Sequence, residues 1–483
     1  MKAELEKVRS LLAQGHTRQA RSALDELRAA GQVPEDGQWR IHELYGAVFH
    51  DLADAEGAAA AYRNAAQADQ YLRSQREHYS NYLFALHYLP GISADALAQQ
   101  MLSYQALYRG EEPLPPRGPV SHDRLRIGFL APDFLDSSSA RFYEPLLTGL
   151  DARVCAVYLY ALSDRADAFT CRLQSTGLTW RSLQGMSVRQ GAEAIRLDEI
   201  DILVDLAGHA AGGMTLMLLG QRPAPVQLCG IGWFDTTGLP AVDAFLTDAV
   251  MDPEAEAGHF CEQLLRLPTG FCFEPTAAMR ECERQPVEDR RPITFGSFQN
   301  FMKINQEVME CWRQILQSLP DSWLIVQDTT RLPERCQEMQ ARFECAGLPM
   351  ERIEVRPGND HYLVDYQQID IMLDSFPYPG GAATATALYM GVPVVALRGD
   401  HHSARLSASL LTAAGHPEWI APTMGAYVRT ALQLAYDRSG LQIIQQHLRQ
   451  ELEASLLMDR QQYCASFRQA CHRLWQDKGD YTL

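Results

Sequence analysis

The sequence predicts an α/β protein: two doubly wound lobes of parallel strands, preceded by an α-helical segment. Three observations carry this. The first 110 or so residues show apolar residues at helical spacing and no run that reads as a strand. Beyond a Pro-rich stretch, EEPLPPRGPVSHD, short β-like runs alternate with amphipathic segments. That alternation occurs twice, in two series separated by the polar stretch PTAAMRECERQPVEDR at 276–291.

The helical segment is assigned to residues 1–115. Within 40–70, the residues Gly46, Phe49, Ala58, Tyr62 and Ala65 fall at the offsets of a tetratricopeptide pattern, in which small residues let paired helices approach and aromatics fill the gap. Residues 4–31 give a weaker copy through Leu12, Gly15, Ala20, Leu24 and Leu27. A generic helical bundle is the other reading of these residues. Two repeats are too few to bury a continuous core, so this segment is expected to dock on the α/β part of the chain.

The first lobe is assigned to 122–280, with strands expected in LRIGFLA (125–131), VCAVYLYAL (154–162), DILVDLAG (201–208) and PVQLCGIG (225–232). The second is assigned to 290–425, with strands in PITFGSF (292–298), WLIVQD (323–328), RIEVRPG (352–358), IDIMLDSF (369–376) and VPVVAL (392–397). A helical tail fills 426–483. Lobes of this kind hold ligands near the carboxyl ends of their strands, and two in tandem predict a cleft between them.

Composition excludes several function classes. With 43 Lys+Arg against 60 Asp+Glu, the formal net charge of -17 argues against a nucleic acid as partner. The 11 cysteines form no C-x-x-C pair and no tight Cys/His cluster, which fits reduced thiols and predicts no metal site. The start of the chain lacks the apolar core of a signal peptide, and no apolar run is long enough for a membrane span. A cytoplasmic location is the expectation.

Two segments could carry chemistry. PITFGSFQNFMK ends a strand in a polar turn and delivers Lys303, a cation suited to neutralising a diphosphate, beside Asn300. DSFPYPGGAATATALYMGV ends a strand at Asp374, turns through Gly380 and Gly381, and starts a helix whose N-terminus would present amides to phosphate. Either could instead be a solvated lysine and a tight junction. In the first lobe, Asp133 and Asp136 follow the first strand, and Asp205 with His209 follows another, a pair suited to proton transfer. Both sets also fit capping and packing. The tandem His401-His402 has no partner at metal-ligand spacing.

In order along the chain, LRIGFLAPDF, DILVDLAGHAAG, QRPAPVQLCGIGWFDTTGLPAVDAFLTD, EQLLRLP, ITFGSFQNFMKIN, the turn 376–381 and ALYMGVPVVAL resemble the O-GlcNAc transferase/SPINDLY-like family, glycosyltransferase family 41. YSNYLFALHYLPGIS (79–93) resembles the segment that joins repeats to catalytic core in that family. The resemblance implies a GT-B fold and an inverting, metal-independent protein glycosyltransferase. Such an enzyme would move GlcNAc or another hexose from a nucleotide sugar, UDP-linked, onto a side chain of a protein or peptide acceptor, with no cofactor. It places Lys303 at the lysine that binds the donor diphosphate, and Asn300 at its amide-bearing neighbour. Gly380, Gly381 and Thr384 fall on the diphosphate turn, Arg405 on an arginine of the following loop, and His361 in the nucleoside loop. Asp205 and His209 match the D-L-S-G-H-T motif.

The departures are specific. The family's P-D-F-x-x-H has Ser137 at the histidine, which leaves Asp133, Asp136, Asp205, His209 or the leaving phosphate to act as base. The turn lacks one Thr hydroxyl at Ala383, and Thr386 stands where a ribose-binding carboxylate is expected. These replacements support a second reading, a catalytically degenerate fold that binds a polypeptide or assists a partner glycosyltransferase. The acidity of the chain predicts that an acceptor's docking segment is neutral or basic.

Overall fold

The computed structural model describes residues 2–31, 37–117, 120, 122–284 and 291–478. Its contacts divide the chain into two compact units, Ser93–Glu274 with Glu453–Leu483, and Met1–Ile92 with Pro275–Leu452.

The unit around Ser93–Glu274 is built on a parallel sheet of seven strands. They are β1 (Leu125–Ala131), β2 (Cys155–Ala161), β3 (Thr179–Ser182), β4 (Ile202–Asp205), β5 (Val226–Cys229), β6 (Ala244–Thr247) and β7 (Gln263–Arg266), in the order β3-β2-β1-β4-β5-β6-β7. The central strands read as near-continuous apolar runs because helices cover both faces. The edge strand β3 is TWRS, half exposed and without an apolar run, so nothing in its sequence announced it. Capping boxes start the crossover helices Ala168–Ser175, at Asp167 and Thr170, and Val188–Leu197, at Ser187 and Gln190.

Two outlying helical pieces belong to this unit. Helix Ala94–Leu102 sits so close to the loop after β5 that a Cβ at Gly238 would lie 2.0 Å from the Met101 carbonyl oxygen. The final helix, Arg460–Asp477, stacks Phe467 on Phe129 of β1 and donates from the Tyr463 hydroxyl to the Gly270 carbonyl at 3.1 Å.

The other unit holds six parallel strands: β8 (Thr294–Phe298), β9 (Trp323–Gln327), β10 (Ile353–Arg356), β11 (Ile371–Leu373), β12 (Val394–Leu397) and β13 (Ile420–Ala421). Their order is β10-β9-β8-β11-β12-β13, so the winding reverses between β8 and β11. Ligands of doubly wound sheets sit outside the carboxyl ends of the strands at such a reversal. Here those ends lead into Gln299–Lys303 and Asp374–Gly381.

The same unit contains the helices of the first 92 residues. Helices Gln38–Asp51 and Ala55–Ala68 approach so closely that a Cβ on Gly46 would meet the Tyr62 ring at 2.5 Å, the small-against-aromatic packing that the repeat pattern implies. Leu5, Val8, Leu24, Ile41, Leu44 and Val48 form their common core. Contacts therefore cut across the expected segments. The stretch 1–115 divides at Ile92/Ser93 and the tail 426–483 divides at Leu452/Glu453. Part of the polar stretch 276–291 is helical, as Ala277–Glu281 capped by Thr276, while residues 285–290 lie outside the described residues.

Candidate functional site

Every residue of β8 is buried, and the chain leaves it through two caps. The Asn300 carbonyl Oδ1 accepts the Met302 N–H at 3.0 Å and starts the short turn Phe301–Lys303. Asn305 then caps helix Gln306–Ser318 by accepting from the amides of Glu307 and Val308, while its Nδ2 donates to the Phe376 carbonyl at 2.6 Å. Between these caps the Lys303 side chain is delivered to the glycine turn. Its ammonium donates to the Pro379 carbonyl at 2.5 Å and lies 4.2 Å from the centre of the Tyr378 ring. Burial pushes this lysine down to about 8, against the pull of the Asp374 carboxylate.

The turn itself hangs on Asp374, which is fully buried just past β11. Its Oδ1 accepts the N–H groups of Ser375 at 2.9 Å and Gly380 at 2.8 Å, and the Gln299 Nε2 at 2.7 Å. The Tyr427 hydroxyl donates to the Asp374 carbonyl at 2.7 Å. Burial raises the carboxyl pKa, while hydrogen bonds from Ser407 and Gln299 and the charge of Lys303 oppose the rise. Gly381 has φ +58°, a conformation that favours glycine, and a Cβ on Gly380 would lie 2.6 Å from the Thr384 hydroxyl. Helix Ala382–Tyr389 starts directly after them, with its positive end at the turn.

Lys303, Gly380, Gly381 and Thr384 are thus brought together. The Thr384 hydroxyl points inward, 2.9 Å from the Ser407 Oγ, and Thr386 is buried one half-turn on. Arg405 is buried in the loop after β12, where its Nε donates to the Gly399 carbonyl at 3.0 Å. The Asn300 Oδ1 also receives Arg335 Nη2 at 2.6 Å, so this oxygen serves the loop. His361 is exposed at the start of the short helix Tyr362–Asp365, with its N–H donating to the Asn359 Oδ1 at 2.7 Å. That bond belongs to its own loop and does not bring the imidazole to the turn.

In the other unit, Asp205 and His209 have no exposed surface. Asp205 accepts the N–H groups of Ala207 at 3.0 Å and Gly208 at 2.9 Å, and burial pushes its carboxyl up to about 6. The His209 Nε2 lies 2.9 Å from the Thr237 carbonyl, and its ring packs edge-on to Tyr104 and Trp233. Burial pushes it down to about 4, so it is neutral and donates. Both side chains close the loop that follows β4. Asp136 pairs with Arg141, and the Ser137 Oγ accepts the Ala140 N–H at 3.3 Å where helix Ala140–Gly149 begins. Asp133 keeps an exposed edge and faces Arg165 at 3.5 Å.

Reading the sequence missed Gln299, Tyr378 and Ser407. The available signal was the S-F-P-Y-P-G-G run, where a tyrosine fixed between two prolines must face one side of the turn.

The profile described as Glycosyl transferase family 41 matches residues 104–281 and 284–467. The barley (Hordeum vulgare) protein named "Probable UDP-N-acetylglucosamine--peptide N-acetylglucosaminyltransferase SPINDLY" is 34% identical over 416 residues, which cover 82% of this chain and 43% of that protein. SPINDLY of Arabidopsis thaliana is 34% identical over 364 residues, 73% of this chain and 39% of its own length. The chain therefore spans less than half the length of these plant relatives. Among solved structures, the O-GlcNAc transferase of Thermobaculum terrenum, in a lysine-to-methionine variant, superposes with a TM-score of 0.80 at 28% identity, over 99% of this chain and 97% of that one. Its likeness extends to the helical segment and to both sheets, which are the two lobes of a GT-B fold. A profile running along both sheet regions, joined to that shared architecture, shows that the chain belongs to glycosyltransferase family 41.

Proposed function

We propose that this protein transfers a sugar, GlcNAc or another hexose, from a UDP-linked donor to a side-chain oxygen of a protein, with inversion and without a metal. The observation that carries this reading is the delivery of the Lys303 ammonium to the Gly380–Gly381 turn at the start of a helix. A donor diphosphate at that turn would meet a half-buried cation and a helix N-terminus, both favourable to the negative charge that grows as the sugar departs. The acceptor oxygen forms its bond to the anomeric carbon while the bond from that carbon to the phosphate oxygen breaks. The bonding pair leaves with the nucleoside diphosphate.

The acceptor's proton needs a base. We assign it to Asp133, whose carboxylate is partly exposed beside Arg165, whereas Asp205 and His209 are buried and bonded within loops of their own unit. Arg405 closes its own loop onto the Gly399 carbonyl, and Asn300 fixes the backbone that launches Lys303. The relatives' names supply UDP-GlcNAc as the first donor to test and a peptide as the first acceptor class. A second reading, binding of a polypeptide without transfer or assistance to a partner glycosyltransferase, rests on the replacements at Ser137, Ala383 and Thr386.

The test is transfer itself. The chain is incubated with UDP-GlcNAc, UDP-glucose or GDP-fucose and with acceptor protein from the same cell, and acceptor mass is followed. A sugar-sized increment that vanishes in Lys303→Ala supports the enzyme. No transfer, and no binding of any nucleotide sugar or nucleoside diphosphate, overturns the enzyme and supports the second reading.

A further inference from the structure

The N-terminal helices and the Lys303 loop share one compact unit, and three sets of contacts join them around the lysine. Arg335 is wholly buried. It donates to the His50 carbonyl at 2.9 Å and to the Asn300 Oδ1 at 2.6 Å, and pairs with Asp328 at 2.6 Å. Arg342 donates to the Ala53 carbonyl at 3.1 Å and to the Ile304 carbonyl at 2.5 Å. His50 and Ala53 flank the turn between helices Gln38–Asp51 and Ala55–Ala68. Asn300 and Ile304 flank Lys303. Each guanidinium therefore ties the same inter-helix turn to one side of the lysine, using the fixed fork of donors that a lysine in its place would lack.

The third set lies on the aromatic face. Past helix Leu72–Leu86, Tyr88 and His87 pack on the Tyr378 ring, with centroids 5.2 Å and 5.9 Å away, and Phe84 meets its edge at 6.2 Å. His87 Nδ1 also lies 2.9 Å from the Ser403 Oγ. Tyr378 is the ring over which the Lys303 ammonium sits, so Tyr88 reaches the cation through one intervening side chain.

We infer that Tyr88 and Tyr378 are positioning residues of the donor site: the helical segment holds the ring that holds the Lys303 ammonium at the Gly380 turn. A free lysine side chain loses rotamer freedom when it is fixed on a ligand. Confining it between a carbonyl and a clamped ring removes that loss from the binding step. This inference rests on the donor reading above. It makes the helical segment a working wall of the donor site, in addition to any acceptor surface it provides.

A double-mutant cycle tests it, with UDP affinity of the full chain measured by ligand-observed NMR and folding checked by melting curves. Tyr88→Leu is expected to weaken UDP by about threefold to tenfold in the unaltered background, because the Tyr378 ring under the ammonium loses the ring that holds it. Tyr378→Phe, which keeps the ring, is expected to bind within about twofold of the parent. In a Lys303→Ala background, Tyr88→Leu should change affinity by less than about twofold, because its effect runs through the lysine. If Tyr88→Leu fails to fold, Tyr378→Leu takes its place in the cycle. Equal losses in both backgrounds, or no loss in the first while Lys303→Ala still weakens UDP, overturn the inference. An unaltered chain that binds no UDP overturns the donor reading itself.

Discussion

The Asp374 carboxylate accepts the Gly380 N–H at 2.8 Å, so a single buried group ties the end of a sheet strand to the glycine turn six residues later. The same oxygen holds the Ser375 N–H and the Gln299 amide. Replacing Asp374 with Ala would strand those donors in the interior. The expected cost is about 2–4 kcal/mol of stability, read from denaturant melts, together with loss of UDP binding. Asp374→Asn keeps the accepting oxygen and removes a buried charge, so it should cost far less stability. It should still weaken UDP near neutral pH, because Lys303 loses the carboxylate that favours its charged form.

Lys303 gives a pH signature. Burial sets it at about 8, with Asp374 opposing, so the free protein loses the ammonium as pH rises through that value. UDP affinity should be flat to about pH 7.5 and then fall by up to about tenfold per pH unit until the lysine of the complex also titrates. Calorimetric titrations across this range check the slope. Lys303→Arg keeps a charged side chain throughout and should give a flat profile.

The same depressed value is a stability statement. An unfolded lysine titrates near 10.4, above the folded value, so the unfolded chain binds more protons in between. The lysine's contribution therefore disfavours folding below about pH 8, and this penalty fades as pH climbs towards the unfolded value. Lys303→Met is expected to raise the melting temperature at neutral pH while removing donor binding. The gain should shrink at about pH 10.

His209 and Asp205 act in opposite directions in acid. His209, held near 4, favours folding above its unfolded value near 6.5 and loses up to about 3 kcal/mol as pH falls to 4. Asp205, held near 6, gains protons in the folded state first and offsets that loss over an overlapping window. Asp205→Asn should therefore expose the histidine's full acid sensitivity, seen as a steeper fall in melting temperature between about pH 6.5 and pH 4.

How much of this could be read from residues alone differs between the two sheets' loops. The strands β1, β2, β8 and β12 stood out because fully covered parallel strands are continuous apolar runs, and Lys303, Gly380 and Gly381 stood out because a cation and glycines just past strand ends have few structural reasons to be there. The pair Asp205 and His209 looked like proton-transfer chemistry. Polar identity does not disclose burial, and it is their burial that turns them into loop closures. The role of Tyr378 depends on rings from residues some 290 positions earlier, a tertiary relationship that local spacing does not encode. The division of the helical segment at Ile92/Ser93 was likewise invisible, since both halves carry similar amphipathic stripes.

The central claim is that Lys303 and the Gly380–Gly381 turn hold a nucleoside diphosphate, and calorimetric titration of UDP into the full chain tests it most directly. Saturable binding that weakens by about a hundredfold in Lys303→Ala, with the melting temperature of that variant unreduced, is the predicted result. Equal affinity in the parent and the variant, or no binding by the parent, would contradict it.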